Sequence, residues 1–242
     1  MKSYEIFSNL KVVEDMPIII RLDGRYFSRY TKNLELEKPF DTRLRDIFIG
    51  ISKDLIREFN AKYIYTFSDE INILMDNIPF NGRIEKIDSV MASYAASSFN
   101  RHLYMNEQLF EKSVQSDMLA SFDSRIIMTH QNIDNYFKWR QDEAWRNCIN
   151  SYAQALLNKT HAPRQTAEIL YKLNKKELHD LLFENGINIA HVPAWQRRGI
   201  AVYKEKYEIR GFNPKDNSST ISYRNKIKVD MQLDLFNGTN NI

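Results

Sequence analysis

Ile18-Ile19-Ile20-Arg21-Leu22-Asp23-Gly24-Arg25-Tyr26-Phe27 is an apolar, β-branched run that ends in an acid, a glycine and a base. Such a run bounded by glycine reads as a buried strand. A carboxylate at the exit of a buried strand is costly unless a cation or several donors hold it. A second run, Tyr63-Ile64-Tyr65-Thr66-Phe67, ends the same way in Ser68-Asp69-Glu70 and resumes as Ile71-Asn72-Ile73-Leu74-Met75. The two strand ends are expected side by side, with Asp23 and Asp69 jointly holding divalent metal.

Working outward, Pro17 sets the start of the first strand, after a lead-in over residues 1 to 16 whose apolar positions are Tyr4, Ile6, Phe7 and Leu10. A polar, basic segment from Ser28 to Lys38 stands beside the metal site. Asp41 is placed as an N-cap, because Leu44, Ile47, Phe48, Ile51, Leu55 and Phe59 recur at helical spacing behind it. The hairpin Tyr63 to Met75 leads to a second amphipathic helix running to about Met105 and then to a strand at Arg125 to Thr129. The order strand, helix, strand, strand, helix, strand predicts an α+β fold. Its arrangement is the ferredoxin-like split βαβ, a polymerase-type palm with helices packed on one face of an antiparallel sheet.

Residues 1 to 132 form this palm. Residues 133 to 242 are expected to be a long helix, Ile133 to about Leu157, and a helical and β-hairpin extension packed on the palm as one structural unit. In the extension, short helices near Arg164 to Leu173 and after an Asn174 cap precede alternating strands at Gly199 to Arg210 and Thr220 to Val229. Phe212 to Asn217 is a turn by composition, and the tail frays from about Asn237. On the long helix Arg140, Glu143, Asn147 and Asn150 fall on one stripe. That stripe either reads nucleobases or phosphates or forms a hydrogen-bonded seam between helices.

Composition bounds the rest. The 242 residues are 43% hydrophobic and 27% charged, as in a soluble globular protein, with a formal net charge of +3. No run approaches a membrane span and no signal-peptide core opens the chain, so a cytoplasmic protein without a membrane partner is the expectation. The single cysteine, Cys148, excludes an intrachain disulfide and a cysteine-rich zinc site. The five histidines, His102, His130, His161, His179 and His191, lack metal-ligand spacing.

Two aspartates at neighbouring strand ends suit a hard cation such as Mg²⁺, which prefers carboxylate, carbonyl, water and phosphate oxygens. Gly24 lets its carbonyl turn toward that metal and lets phosphate approach the following amides. Two ions about 4 Å apart can activate an attacking hydroxyl and stabilise departing pyrophosphate, bridged by Asp23 and Asp69, with Lys38 neutralising a triphosphate. An Asp-Gly pair is also a common turn former. Glu70 is either a third catalytic carboxylate or, because alternation aims it at the opposite face, salt-bridge support.

Arg21-Leu22-Asp23-Gly24-Arg25-x-Phe27, Lys38-Pro39-x-Asp41, Ser68-Asp69-Glu70, Phe122-Asp123-x-Arg125 and Trp139-Arg140-Gln141 together resemble the tRNA-His guanylyltransferase superfamily, over residues 17 to 157. The resemblance implies a palm that adds nucleotides to the 5′ end of tRNA in the 3′-to-5′ direction after activation by ATP or GTP. It implies Asp23, the Gly24 carbonyl and Asp69 as ligands of two Mg²⁺ ions, and Arg25, Tyr26, Phe27 and Ser28 as the nucleotide-binding turn. Ser68 and Lys38 are its phosphate contacts and Asp41 a base-side contact, a place that helix capping also explains. Lys86 matches, across a short gap, a family lysine used in activation.

The histidine-bearing signature that guanylyltransferases carry on the long helix is Trp145-Arg146-Asn147-Cys148 here, and Ser28 replaces a histidine of the nucleotide-binding turn. These departures resemble the like-protein branch, whose members repair truncated tRNA 5′ ends by templating against the opposite strand. The alternatives are addition of a single G to tRNA-His, nucleotide cyclisation, and a non-catalytic tRNA-binding scaffold. Candidates for gripping the acceptor stem are Arg140, Asn147, Asn150, Arg197, Arg198, Lys204, Lys206, Arg210 and Lys215, with Arg224, Lys226 and Lys228 beyond. Basic residues on exposed strands also guard sheet edges. The resemblance further implies a homotetramer, with tRNA and nucleoside triphosphates as partners.

Overall fold

The computed structural model describes residues 4–13, 16–110, 119–128, 132–213, 215 and 218–236. Thr129, His130, Pro214, Asp216, Asn217 and the tail from Asn237 lie outside the described residues. Six strands form one antiparallel sheet: β1 (Ile18–Gly24), β2 (Tyr63–Phe67), β3 (Glu70–Met75), β4 (Phe122–Met128), β5 (Ile200–Asn213) and β6 (Ser218–Asp230), in the order β4-β1-β3-β2-β5-β6. The order of the first four strands is that of the ferredoxin-like palm.

Successive side chains of a strand point to opposite faces. Ile18, Ile20 and Leu22 of β1 therefore enter the core shared with α2 (Thr42–Phe59) and α3 (Ile84–Met105), whereas Ile19 enters a second core with Tyr65, Leu74 and Phe137 of α4 (Ile133–Leu157). The run is apolar throughout because helices cover both faces. Helices α2 and α3 take the expected face, and the long helix of the extension takes the other. Behind α4 stand α5 (Pro163–Lys172) and α6 (Lys175–Glu184), while α7 (Ala194–Arg198) packs between α4 and β2, its Arg198 carbonyl accepting from the Tyr65 hydroxyl.

The extension also lengthens the sheet, since β5 pairs with β2 from Tyr63↔Tyr203 to Thr66↔Ile200. Beyond Tyr203 the β5/β6 hairpin pairs only with itself, out to Asn213↔Ser218. At about 3.3 Å per residue, ten residues make an arm about 30 Å long. Phe212 lies in β5 rather than in a turn. A seven-residue helix, α1 (Phe27–Asn33), occupies the start of the segment read as merely polar and basic, because Phe27 and Tyr30 stack at 5.6 Å and bury together one turn apart.

Candidate active site

The sheet register brings the two acid-terminated strand ends together. Asp23 is the cross-strand partner of Glu70 on one side and of Asp123 on the other. The Gly24 amide donates to the Asp69 carbonyl at 3.0 Å, which ties the exit of β1 to the β2–β3 turn. A side chain on Gly24 would meet the Phe27 ring at 2.4 Å. That ring is fixed among Phe48, Phe99 and Phe122, so only glycine fits beneath the turn.

Asp69 and Glu70 have different environments. Burial pushes the Asp69 carboxyl up to about 6, the Ser68 hydroxyl donating at 3.0 Å opposes this, and the Asp23 charge adds to the rise. Glu70 is buried and neutralised by Arg140, whose Nε and Nη2 donate to its two oxygens at 2.8 and 2.7 Å. Asn72 adds a third donor at 2.8 Å and itself accepts from the Tyr136 hydroxyl at 2.6 Å. Glu70 is therefore salt-bridge support rather than a catalytic carboxylate, because Arg140 neutralises its charge and three donors already hold its two oxygens. Arg140 is not a tRNA contact, because only 6% of it is exposed and its guanidinium is spent on Glu70.

Two carboxylates with a glycine carbonyl nearby suit Mg²⁺, which keeps several waters and takes its remaining oxygens from phosphate. Among the described residues no group of three or more His, Cys, Asp or Glu side chains is disposed to hold a metal. Asp23, Asp69 and the Gly24 carbonyl are the oxygen donors that this end of the sheet could offer a cation, and the repulsion between the two carboxylates gives it something to offset.

Beside Asp69 opens a cavity of about 300 Å³. Ser28, Lys38, Asp41, Ser68 and Asn147 line its polar part, while Phe27, Phe40, Phe48 and Trp195 form its apolar walls. The structure thus gathers most of the expected nucleotide-binding residues. It leaves Arg25 and Tyr26 exposed outside the lining, with the Arg25 guanidinium 4.7 Å from the Tyr26 ring. Lys86 is exposed in the first turn of α3 and does not reach the cavity. Asp41 caps α2 by accepting from the Arg43 amide at 2.8 Å, and its carboxylate is also gripped by the Arg43 guanidinium.

Sequence reasoning missed Thr31, Arg45, Trp195 and Gln196, which also line the cavity. Thr31 sits 3.4 Å from the Lys38 ammonium, and the Arg45 guanidinium lies 5.2 Å from the Trp195 ring. The sequence signal is Trp195-Gln196, an aromatic ring and an amide immediately before the charged pair Arg197-Arg198. Those arginines hold the backbone: Arg197 donates to Val192 at 3.2 Å and Arg198 to Leu233 at 2.9 Å. Asn150 donates to its own helix at Arg146. Lys204 bonds Asn60, Arg210 pairs with Glu208, Lys206 lies over Tyr223, and Lys215 is exposed.

A family model described as "Thg1: tRNAHis guanylyltransferase" matches residues 1–130. The chain belongs to this family. A solved bacterial tRNA(His) guanylyltransferase (Thg1)-like protein in complex with ATP is 33% identical, with a TM-score of 0.77 over 97% of this chain and 91% of that one. One in complex with GTP is 34% identical, with a TM-score of 0.73 over the same shares. Uncharacterized protein R259 of Acanthamoeba polyphaga mimivirus is 29% identical over 93% of this chain and 82% of its own length. The tRNA(His) guanylyltransferase 1 of Arabidopsis thaliana is 26% identical over 86% of this chain, which spans only 37% of the length of that enzyme.

Proposed function

We propose that the chain is a metal-dependent nucleotidyltransferase that rebuilds truncated tRNA 5′ ends in the 3′-to-5′ direction, choosing each nucleotide by pairing with the opposite strand. The observation that carries this reading is that the strand end bearing Asp23 is tied to Asp69, which itself lines a cavity together with Ser68 and Lys38. Acids beside hydroxyl and ammonium donors suit a triphosphate carried with Mg²⁺.

In the first step a 5′-phosphate oxygen of tRNA attacks the α-phosphorus of ATP or GTP, and pyrophosphate leaves. In the second, the 3′-hydroxyl of the incoming nucleotide attacks the activated 5′ phosphorus, and the nucleoside monophosphate leaves. Two Mg²⁺ ions, when bound, lower the pKa of the attacking hydroxyl and screen the leaving charge. Asp23 and Asp69 fix where such charge is tolerated, Ser68 and Lys38 bind the triphosphate oxygens, and Phe40 with Trp195 offers an aromatic wall to the base. Trp145-Arg146-Asn147-Cys148 on α4 favours templated repair over dedicated addition of one G. A homotetramer is part of this reading, and light scattering checks it.

The test supplies a tRNA lacking its first 5′ nucleotide, with each of the four bases opposite the gap. Addition that follows the template is the expected result, and G regardless of template overturns the repair assignment. Asp23→Ala and Asp69→Ala are expected to abolish addition while tRNA binding persists. Cyclic nucleotide formed from triphosphate alone would mark a cyclase instead.

A further inference from the structure

Helix α2 separates the catalytic cavity from a second one. Leu44, Arg45 and Phe48 face the first, while Arg43, Asp46, Gly50, Lys53 and Arg57 follow the other stripe of the helix and line a cavity of about 740 Å³. His102 of α3 completes that wall. Its ring fills the space beside Gly50, where a Cβ would come within 2.6 Å of it.

The wall is cationic. Lys53 has no hydrogen bond or ion pair among the described residues, and Arg57 reaches Asp54 only at 3.4 Å with 64% of its side chain exposed. Asp54 is buried, and its carboxylate already takes the Ser98 hydroxyl at 2.6 Å, His102 Nε2 at 2.7 Å and the Arg101 guanidinium. The one acid in the lining, Asp46, is paired with Arg45 at 2.8 Å. Arg43 belongs to both sides: its guanidinium grips Asp41 of the catalytic cavity and lies 5.2 Å from the Phe110 ring of the second.

We infer that this cavity is a second anion site, taking backbone phosphates of RNA held at the catalytic centre. Lys53 and Arg57 are four positions apart, so at 1.5 Å per residue they stand on one stripe of α2 about 6 Å apart along its axis, while Arg43 is held by Asp41. That separation suits successive phosphodiesters. Among the described residues the wall also lacks paired carboxylates to hold a metal with a nucleotide. Phosphate contacts of this kind set position without reading sequence.

The inference rests on the proposed RNA substrate, and its test keeps the two apart. Binding of a tRNA transcript lacking its first nucleotide is measured without divalent metal over a series of KCl concentrations, for wild type, Lys53→Ala, Lys53→Ala/Arg57→Ala and Lys53→Arg. The double variant is expected to bind several-fold more weakly, with a salt slope shallower by about 1 to 2, since each phosphate contact contributes about 0.7 to 0.9. Lys53→Arg should keep the wild-type slope, and all variants should melt with the wild type, because Arg57 is exposed and half-buried Lys53 makes no hydrogen bond or ion pair among the described residues. Unchanged slope and affinity in the double variant overturn the site alone, as does loss of one equivalent of ATP or inorganic triphosphate by calorimetry, which marks a nucleotide site. Wild-type protein that binds no RNA overturns the substrate and the site together.

Discussion

Asp69 and Glu70 adjoin each other in the chain, and their fates are opposed: one keeps a charge the fold resists, the other a charge the fold neutralises. Asp69 titrates at about 6 in the folded chain against 3.8 as a free side chain. A carboxyl raised by folding stabilises the protein below the unfolded value and loses that contribution as pH climbs through the folded one. Above pH 6 the metal-free site therefore carries an uncompensated charge, and a divalent cation relieves it. Asp69→Asn is expected to raise the metal-free melting temperature at pH 7.5 by about 2 °C or more and to abolish the further rise that Mg²⁺ gives the wild type. Melting curves with chelator and with Mg²⁺ check both, and equal metal responses in the two proteins contradict the assignment. For the same reason Mg²⁺ stabilisation of the wild type should weaken as pH falls from 7 to 5. Glu70 is a different case, a buried carboxylate held by its salt bridge: Arg140→Met strands it and should cost about 3 to 5 kcal/mol, much of which Glu70→Gln restores in the double variant. Urea unfolding of the single and double variants measures it.

At the scale of elements, α2 depends on its cap. Burial pushes the Asp41 carboxyl up, but its hydrogen bonds with Arg43 and with the Glu37 and Arg43 amides outweigh burial and hold it below the usual value. A lowered carboxylate stabilises above its unfolded pKa and loses that contribution as pH falls through the folded one. Asp41→Ala should therefore cost about 1 to 2 kcal/mol at neutral pH, and the deficit should shrink below about pH 4; urea unfolding at pH 7 and pH 3 compares them. This cap was legible because a short acid stands immediately before a helical repeat. The long helix was legible at both ends, Ile133 and Leu157, since its apolar period persists for seven turns. Helix α1 was not, because seven residues offer too few periods to register. The polar stripe of α4 divided: Asn147 lines the cavity, whereas Arg140 turned inward. Periodicity says which residues share a face, and it leaves open whether a polar face meets water or a buried acid.

Across the whole molecule, the acids were legible because each interrupts an apolar strand, and the register then made Asp23 and the residue after Asp69 cross-strand partners. The aromatic wall was not, since Trp195 is 126 positions beyond Asp69 and only the tertiary fold joins them. The β5/β6 arm stands off the body with Lys206, Arg210 and Arg224 exposed, and Glu205 is shared between Lys226 at 2.9 Å and Lys228 at 2.7 Å. Replacing residues 206 to 225 by a two-residue turn between the paired Glu205 and Lys226 should leave the melting temperature nearly unchanged and lower tRNA affinity in a salt-dependent way, as binding isotherms at two KCl concentrations will read. The proposed chemistry requires metal between two aspartates. Crystals grown with Mn²⁺ and a non-hydrolysable ATP analogue, measured at the manganese absorption edge, test it most directly. Anomalous peaks against Asp23 and Asp69, with the triphosphate along Ser68 and Lys38, are the predicted result; bound nucleotide with no manganese at those carboxylates would contradict it.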